Sequence, residues 1–179
     1  MIQKKICMVG SFGVGKTSLV ARFVRSIFSD KYHTTIGVKI DKKQLVVEGQ
    51  EVTLMLWDLA GEDAVTQIRA AHLRGAAGYI LVADGCRAAT LEAAISLQQR
   101  VAEELGDVPF VCVINKADLR EQWQVNEASF DELAKRGWTF LLASAKTGEK
   151  VEQLFLDLAG RILKETNAGP AGALDNANA

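Results

Sequence analysis

Two patterns of apolar spacing divide this chain, short continuous runs rich in β-branched residues and longer stretches whose apolar positions recur at steps of three and four. The first pattern predicts buried strands and the second predicts helices with one covered face. Residues 2–9, ending in Ile6-Cys7-Met8-Val9, read as a first strand, and residues 16–26 as a first helix. Residues 27–37 are polar and aromatic without clear period and read as an exposed connection. Leu45-Val46-Val47 and Val52-Thr53-Leu54-Met55-Leu56-Trp57, parted by Glu48-Gly49-Gln50, predict an antiparallel hairpin. Residues 59–74 pass into a short helix, and Tyr79-Ile80-Leu81-Val82-Ala83 is a strand. Leu91, Ala94, Ile95, Val101, Ala102 and Leu105 give a helix one apolar face, and Phe110-Val111-Cys112-Val113-Ile114 is the next strand. Phe130, Leu133 and Ala134 predict another helix, and residues 138–142 a sixth strand. Val151, Leu154, Phe155, Leu158, Ala159, Ile162 and Leu163 fall on one stripe of a last helix. From residue 166 to 179 the chain turns to Gly, Pro, Ala and Asn and reads as a disordered tail.

Strands alternating with helices predict an α/β domain over residues 1–165. Its expected sheet is six-stranded and mostly parallel, with one antiparallel edge strand and helices on both faces. In such a sheet ligands bind beyond the carboxyl ends of the strands. Gly10, Asp58, Asp84, Asn115 and Ser144 all follow strand ends, so five loops converge on one edge. With 179 residues, 21 Lys plus Arg against 22 Asp plus Glu and a net charge of −1, nothing indicates a broad surface for nucleic acid or membrane. Cys7, Cys86 and Cys112 stand singly, without metal spacing. The N-terminus lacks the basic and apolar regions of a signal peptide, and a cytoplasmic location is expected.

The candidate chemistry lies where the first strand meets the first helix. Gly10-Ser11-Phe12-Gly13-Val14-Gly15-Lys16-Thr17 fits the phosphate-binding pattern G-x-x-x-x-G-K-[ST], and Ser18 continues it into the helix. Its glycines let successive N–H groups turn inward around an anion, backed by the positive end of the helix. Lys16 is placed to reach the β- and γ-phosphates, and the Thr17 hydroxyl to ligate Mg2+. Asp58, in Trp57-Asp58-Leu59-Ala60-Gly61, can hold the same ion through water, while the Gly61 N–H approaches the γ-phosphate. Asn115-Lys116-Ala117-Asp118 discriminates between bases. Guanine carries a ring N–H and an exocyclic amine on one edge, and the Asp118 carboxylate accepts from both, whereas adenine presents the wrong pattern. The Lys116 stem can lie along the base, Ser144-Ala145-Lys146 can offer a backbone N–H to the guanine carbonyl, and Asn115 can tie these loops together.

These motifs, in this order and at these separations, resemble the small GTPases of the Ras superfamily, with the pattern nearest to the Rab branch over residues 2–165. The resemblance implies a guanine-nucleotide switch of P-loop NTPase fold that binds GTP or GDP with Mg2+ and hydrolyses GTP slowly. It implies that Thr35, in Thr35-Ile36-Gly37, closes onto Mg2+ and γ-phosphate, and that Phe28 packs on the base. Residues 30–38 and 59–74 then become two switches, read by an effector, exchange factor or activating protein. The catalytic candidates are Lys16, Gly61 and Glu62.

Three features depart from the family pattern. Phe12 replaces a small or polar residue near the space an activating protein's arginine enters, and Glu62 replaces the Gln that orients the attacking water, with Asp63 following in place of Glu. No cysteine lies beyond residue 112, so no lipid anchor is expected in this chain. A GTP-binding module that does not hydrolyse shares every binding residue, with Phe12 and Glu62 as its signs. A small P-loop metabolic kinase would need an acceptor pocket and a lid, for which the chain has no long insertion.

Overall fold

The computed structural model describes residues 2–29, 35–61 and 69–168. Strands β1 (Ile2–Val9), β2 (Val38–Val47), β3 (Gln50–Leu59), β4 (Gly78–Asp84), β5 (Phe110–Asn115) and β6 (Phe140–Leu142) form one sheet in the order β2-β3-β1-β4-β5-β6. Only the β2/β3 pair is antiparallel. Helices α1 (Lys16–Arg25), α2 (Ala70–Leu73), α3 (Ala88–Leu105), α4 (Glu127–Lys135) and α5 (Val151–Ala168) cover it. The predicted α/β architecture, with six strands and one antiparallel edge, is the one observed.

The period of two along the central strands divides the core. Ile6 and Met8 of β1, Ile80 and Val82 of β4, and Val111 and Val113 of β5 face α1 and α5, where Leu19, Phe23, Leu154 and Phe155 meet them. Their neighbours Cys7, Val9, Leu81, Ala83, Cys112 and Ile114 face the opposite layer of α2, α3 and α4, packing on Leu73, Leu91, Leu97, Val101 and Leu133. A strand covered on both faces has no polar position to spare, which is why these segments read as unbroken apolar runs. The stripe on α5 is buried at Val151, Leu154, Phe155, Leu158, Ala159, Ile162 and Leu163.

Two boundaries differ most from the sequence expectation. Strand β2 begins at Val38, seven residues before the apolar run at Leu45, and includes Lys39, Asp41, Lys42 and Lys43. Lys39, Asp41 and Lys43 alternate onto the same face as Leu45 and Val47, where Asp41 is paired with Arg25 and Lys39, and Lys43 Nζ lies over the Phe23 ring. Charge thus replaces apolar character along the first half of this edge strand, and lysines suit an unpaired edge. Helix α5 continues to Ala168, past the boundary drawn at residue 165. Thr166 explains this in part, because its Oγ1 donates to the Ile162 carbonyl (2.8 Å) and accepts from Lys4 Nζ (2.9 Å), tying the last turn to β1. The expected tail otherwise lies outside the described residues. No helix among the described residues is long and apolar enough to cross a membrane.

The register aligns the strand ends that matter. Met8 lies opposite Asp58, Val9 opposite Leu81, and Asp84 opposite Asn115. The loops that follow therefore open on one rim.

Candidate nucleotide-binding site

The loop after β1 wraps the first turn of α1, and its last residue sets the geometry. Gly15 caps the helix with φ of 102°, and a Cβ there would lie 2.2 Å from Asn115 Nδ2. A side chain is excluded twice over, by the left-handed backbone and by the neighbouring loop. Val14 is buried in the core beneath, and its carbonyl accepts from Asn115 Nδ2 (3.0 Å). Lys16 is buried, and its ammonium donates to the carbonyls of Gly10 (2.9 Å) and Ser11 (3.0 Å). Burial lowers its pKa to about 8, although the Asp58 charge opposes the shift. Such an ammonium is short of negative charge, the condition in which a phosphate is the favoured guest.

Thr17, Thr35 and Asp58 come together from three segments. Thr17 Oγ1 donates to Asp58 Oδ2 (2.5 Å), the two threonine hydroxyls are 2.8 Å apart, and Thr35 Oγ1 lies 3.2 Å from the same carboxylate oxygen. Burial raises the Asp58 pKa, against the two hydroxyl bonds and the Lys16 charge. The second oxygen, Asp58 Oδ1, is buried without a hydrogen-bond partner. An orphaned carboxylate oxygen beside two hydroxyls is a hard oxygen set that fits Mg2+. Gly61 is pressed against the phosphate loop: a Cβ on it would lie 2.5 Å from Phe12 Cα and 2.7 Å from Phe12 N. Glu62 and Asp63 lie outside the described residues, as do residues 30–34.

At the other end, Asn115 joins three loops, since its Nδ2 reaches Val14 and its Oδ1 accepts from Ala145 N (3.1 Å). Lys116 takes a left-handed backbone, φ 70°, uncommon for a residue with a side chain. Its carbonyl accepts from Leu119 N and from Trp123 Nε1, both 2.9 Å, and these bonds hold the turn that presents Asp118. The Asp118 Oδ1 accepts from buried Ser144 Oγ (2.6 Å), which also receives Thr147 N (3.1 Å).

A cavity of about 870 Å³ lies between the two ends. Phe12, Gly13, Gly15, Lys16, Thr17, Ser18, Phe28, Thr35, Gly61, Asn115, Lys116, Asp118, Ala145 and Lys146 line it. Ser11, Val14, Asp58 and Ser144 stand behind this lining, and act through the bonds just described. A model of the Ras family matches residues 5–164.

The chain belongs to the Ras family. It is 34% identical over 178 residues to the Ras-related protein SEC4 of Candida albicans, covering 97% of this chain and 85% of that protein. Ras-related protein Rab-13 of Bos taurus is 32% identical over 177 residues, covering 93% and 87%. Ras-related protein Rab-8B of Bos taurus is 32% identical over 165 residues, covering 91% and 80%. It is thus a Rab-like small GTPase.

Four residues of this Rab-like site had no role assigned from sequence. Arg22, on α1, donates through Nε to the Ala145 carbonyl (2.8 Å), through Nη2 to the Lys146 carbonyl, and through Nη1 to Ser26 (3.2 Å). One guanidinium thus fastens α1 to the loop of residues 145–146. Trp123 supports Lys116 as described. Asp84 is buried, and its Oδ2 accepts from Lys116 Nζ (2.6 Å) and Arg87 Nε (2.9 Å). Burial alone would raise the Asp84 pKa, but these bonds outweigh it and hold the carboxyl below its ordinary value.

Proposed function

We propose that this GTPase is a molecular switch that binds GTP or GDP with Mg2+, hydrolyses GTP slowly, and presents residues 30–38 and 59–74 to an effector, exchange factor or activating protein. The observation that carries this reading is the meeting of Thr35 with Thr17 and Asp58. Thr35 belongs to the connection before β2, Thr17 to α1 and Asp58 to β3, so a ligand gripping all three couples that connection to the phosphate loop. Mg2+ held by Thr17, Thr35 and Asp58 would supply positive charge against the β- and γ-phosphates.

The remaining work belongs to the chain. Lys16 exchanges two loop carbonyls for phosphate oxygens, and the anion restores the protonation that burial disfavours. The Gly61 N–H faces the γ-phosphate from the far side of the loop. Asp118 accepts both donors of the guanine edge while Ser144 fixes its carboxylate, and Phe28 covers the base. Glu62, once ionised, accepts a proton from the attacking water but, unlike Gln, cannot donate to a phosphate oxygen.

Single-turnover phosphate release by the purified protein, with ATP in a parallel arm, tests the reading. Tight GTP binding, much weaker ATP binding and slow release of phosphate that depends on Mg2+ are expected. Equal binding of ATP and GTP would overturn the base assignment. Tight GTP binding without release would leave a module that binds and does not hydrolyse. Glu62→Gln should change the rate of phosphate release while leaving GTP affinity near the parent value, and an unchanged rate would remove Glu62 from the reaction.

A further inference from the structure

Arg87 sits at the start of α3, far in sequence from the phosphate loop, yet it bonds that loop directly. Its backbone is fixed on both sides: its N–H donates to the Asp84 carbonyl (2.9 Å), and its carbonyl accepts from Thr90 N (2.9 Å) and Thr90 Oγ1 (2.7 Å). From that base the guanidinium forks. Nε donates to Asp84 Oδ2 (2.9 Å) and Nη2 to the Phe12 carbonyl (3.0 Å). Asp84 Oδ2 also takes Lys116 Nζ (2.6 Å), and Asp84 Oδ1 takes Cys86 N (3.0 Å), so the carboxylate is fully engaged. An unbroken chain of bonds therefore runs from Phe12 in the phosphate loop, through Arg87 and Asp84, to Lys116 in the base loop. We propose that Arg87 is a positioning residue that clasps the phosphate loop to the base loop and so sets how long the nucleotide stays bound.

The fork is what the role requires. The phosphate loop carries Gly10, Gly13 and Gly15, residues that lose the most backbone freedom on ordering, so a bond from outside to its carbonyl lowers the cost of keeping it closed. A planar guanidinium can donate to a carboxylate and a carbonyl at once, with both directions set by its own geometry, whereas a lysine ammonium on the same short path holds one of them well. With its side chain 45% exposed, Arg87 can be replaced without opening the core. The side chain bonds the outer carbonyl of the loop and its own neighbours, so it acts on the nucleotide through them.

This inference rests on the guanine-nucleotide reading, and the test separates the two. The parent protein is loaded with a fluorescent GDP in Mg2+, and dissociation is followed after adding excess unlabelled GDP for parent, Arg87→Ala, Arg87→Lys and Phe12→Ala. Arg87→Ala should release GDP about 3- to 10-fold faster, the effect of one partly exposed charge-assisted bond, while melting of the nucleotide-saturated protein stays near that of the parent. Arg87→Lys should release GDP as fast as Arg87→Ala. Rescue by lysine would show that only the charge beside Asp84 matters, and would overturn the clasp. Phe12→Ala keeps the backbone carbonyl, so adding Arg87→Ala to it should still speed release by a similar factor; loss of the effect would assign Arg87 to packing on the ring. Unchanged dissociation in Arg87→Ala, in a parent that holds GDP, would overturn the inference alone. A parent that does not retain GDP would overturn the nucleotide reading and the clasp with it.

Discussion

The two margins of the cavity are built differently. On the side of β1, β4 and β5, the site loops are tied to one another by bonds to backbone or buried groups. Asn115 holds Val14 and Ala145, Ser144 holds Asp118, Asp84 holds Lys116 and Arg87, and Arg22 holds the 145–146 carbonyls. On the side of β2 and β3, Thr35 reaches the site through its hydroxyl, next to Ile36, which is 92% exposed, and Gly37, whose carbonyl accepts from Ala60 N (2.9 Å). The first margin is held by the fold and the second by the ligand's own site. A protein that must recognise one base in every state, yet respond to one phosphate more or less, needs this division. A typical hydrogen bond contributes about 1 kcal/mol, so a residue held by one or two such bonds shifts with the ligand, and one tied into a buried network does not.

The comparison is tested most strongly by removing the ligand. A ligand present at about a thousand times its Kd adds ~4 kcal/mol to stability. Stripping nucleotide with a Mg2+ chelator should lower the melting temperature markedly, and an unchanged melt would show that the margins are joined without it. Next in size is Asp118→Asn, expected to weaken GDP and GTP on the order of 3 kcal/mol, more than a hundredfold. An amide oxygen can still accept from Ser144 Oγ, so the loop is kept while a donor now faces a donor on guanine. Titration with fluorescent GDP measures the loss, and unchanged affinity would remove Asp118 from base recognition.

Two further substitutions contrast the margins directly. Asn115→Ala deprives the Ala145 N–H and the Val14 carbonyl of their partner at once, and should destabilise the nucleotide-free protein by about 1–3 kcal/mol in urea. Thr35→Ala should change that stability by less than about 1 kcal/mol, leave GDP affinity near the parent value, and weaken GTP selectively. Equal losses of GDP and GTP in Thr35→Ala would break the distinction drawn between the margins.

Which of these residues the sequence revealed follows from how local their signals are. The strands β1, β4 and β5 and helix α5 announce themselves because burial on two faces, or along one stripe, writes a period into neighbouring residues. Gly10 to Thr17 and Asn115 to Asp118 are legible for a related reason: the chemistry of each is concentrated within eight and four consecutive positions. Arg22, Arg87 and Trp123 carry no such signal. Each donates to a backbone carbonyl, which every residue possesses, and for Arg22 and Arg87 these lie 123 and 75 residues away. Strand β2 is only partly legible because an edge strand tolerates Lys39, Lys42 and Lys43, and its alternation is only half apolar. Thr35 could be placed through the family resemblance, since a threonine in a polar connection says nothing by itself.

The smallest expected effect probes the anchored margin through its thiols. Cys7 in β1 and Cys112 in β5 are buried on the face covered by α3, and burial raises their pKa to about 11 and about 12, with Lys5 partly offsetting the shift at Cys7. Cys86, just past Asp84 on the rim, is half-buried, and its pKa is raised by burial and then by the Asp84 charge. A thiol-specific disulfide reagent at pH 8 should therefore react at Cys86 in the native protein and reach Cys7 and Cys112 only in denaturant, because the thiolate is the attacking form. The sign for stability follows from the same shifts. Above about pH 9 an unfolded chain gives up these two protons while the folded chain retains them, so the folded state binds more protons and stability falls as pH rises through 9 to 11. Rapid native labelling of Cys7 or Cys112 would mean that β1 and β5 open locally, and that the margin attributed to the fold is no more fixed than the one attributed to the ligand.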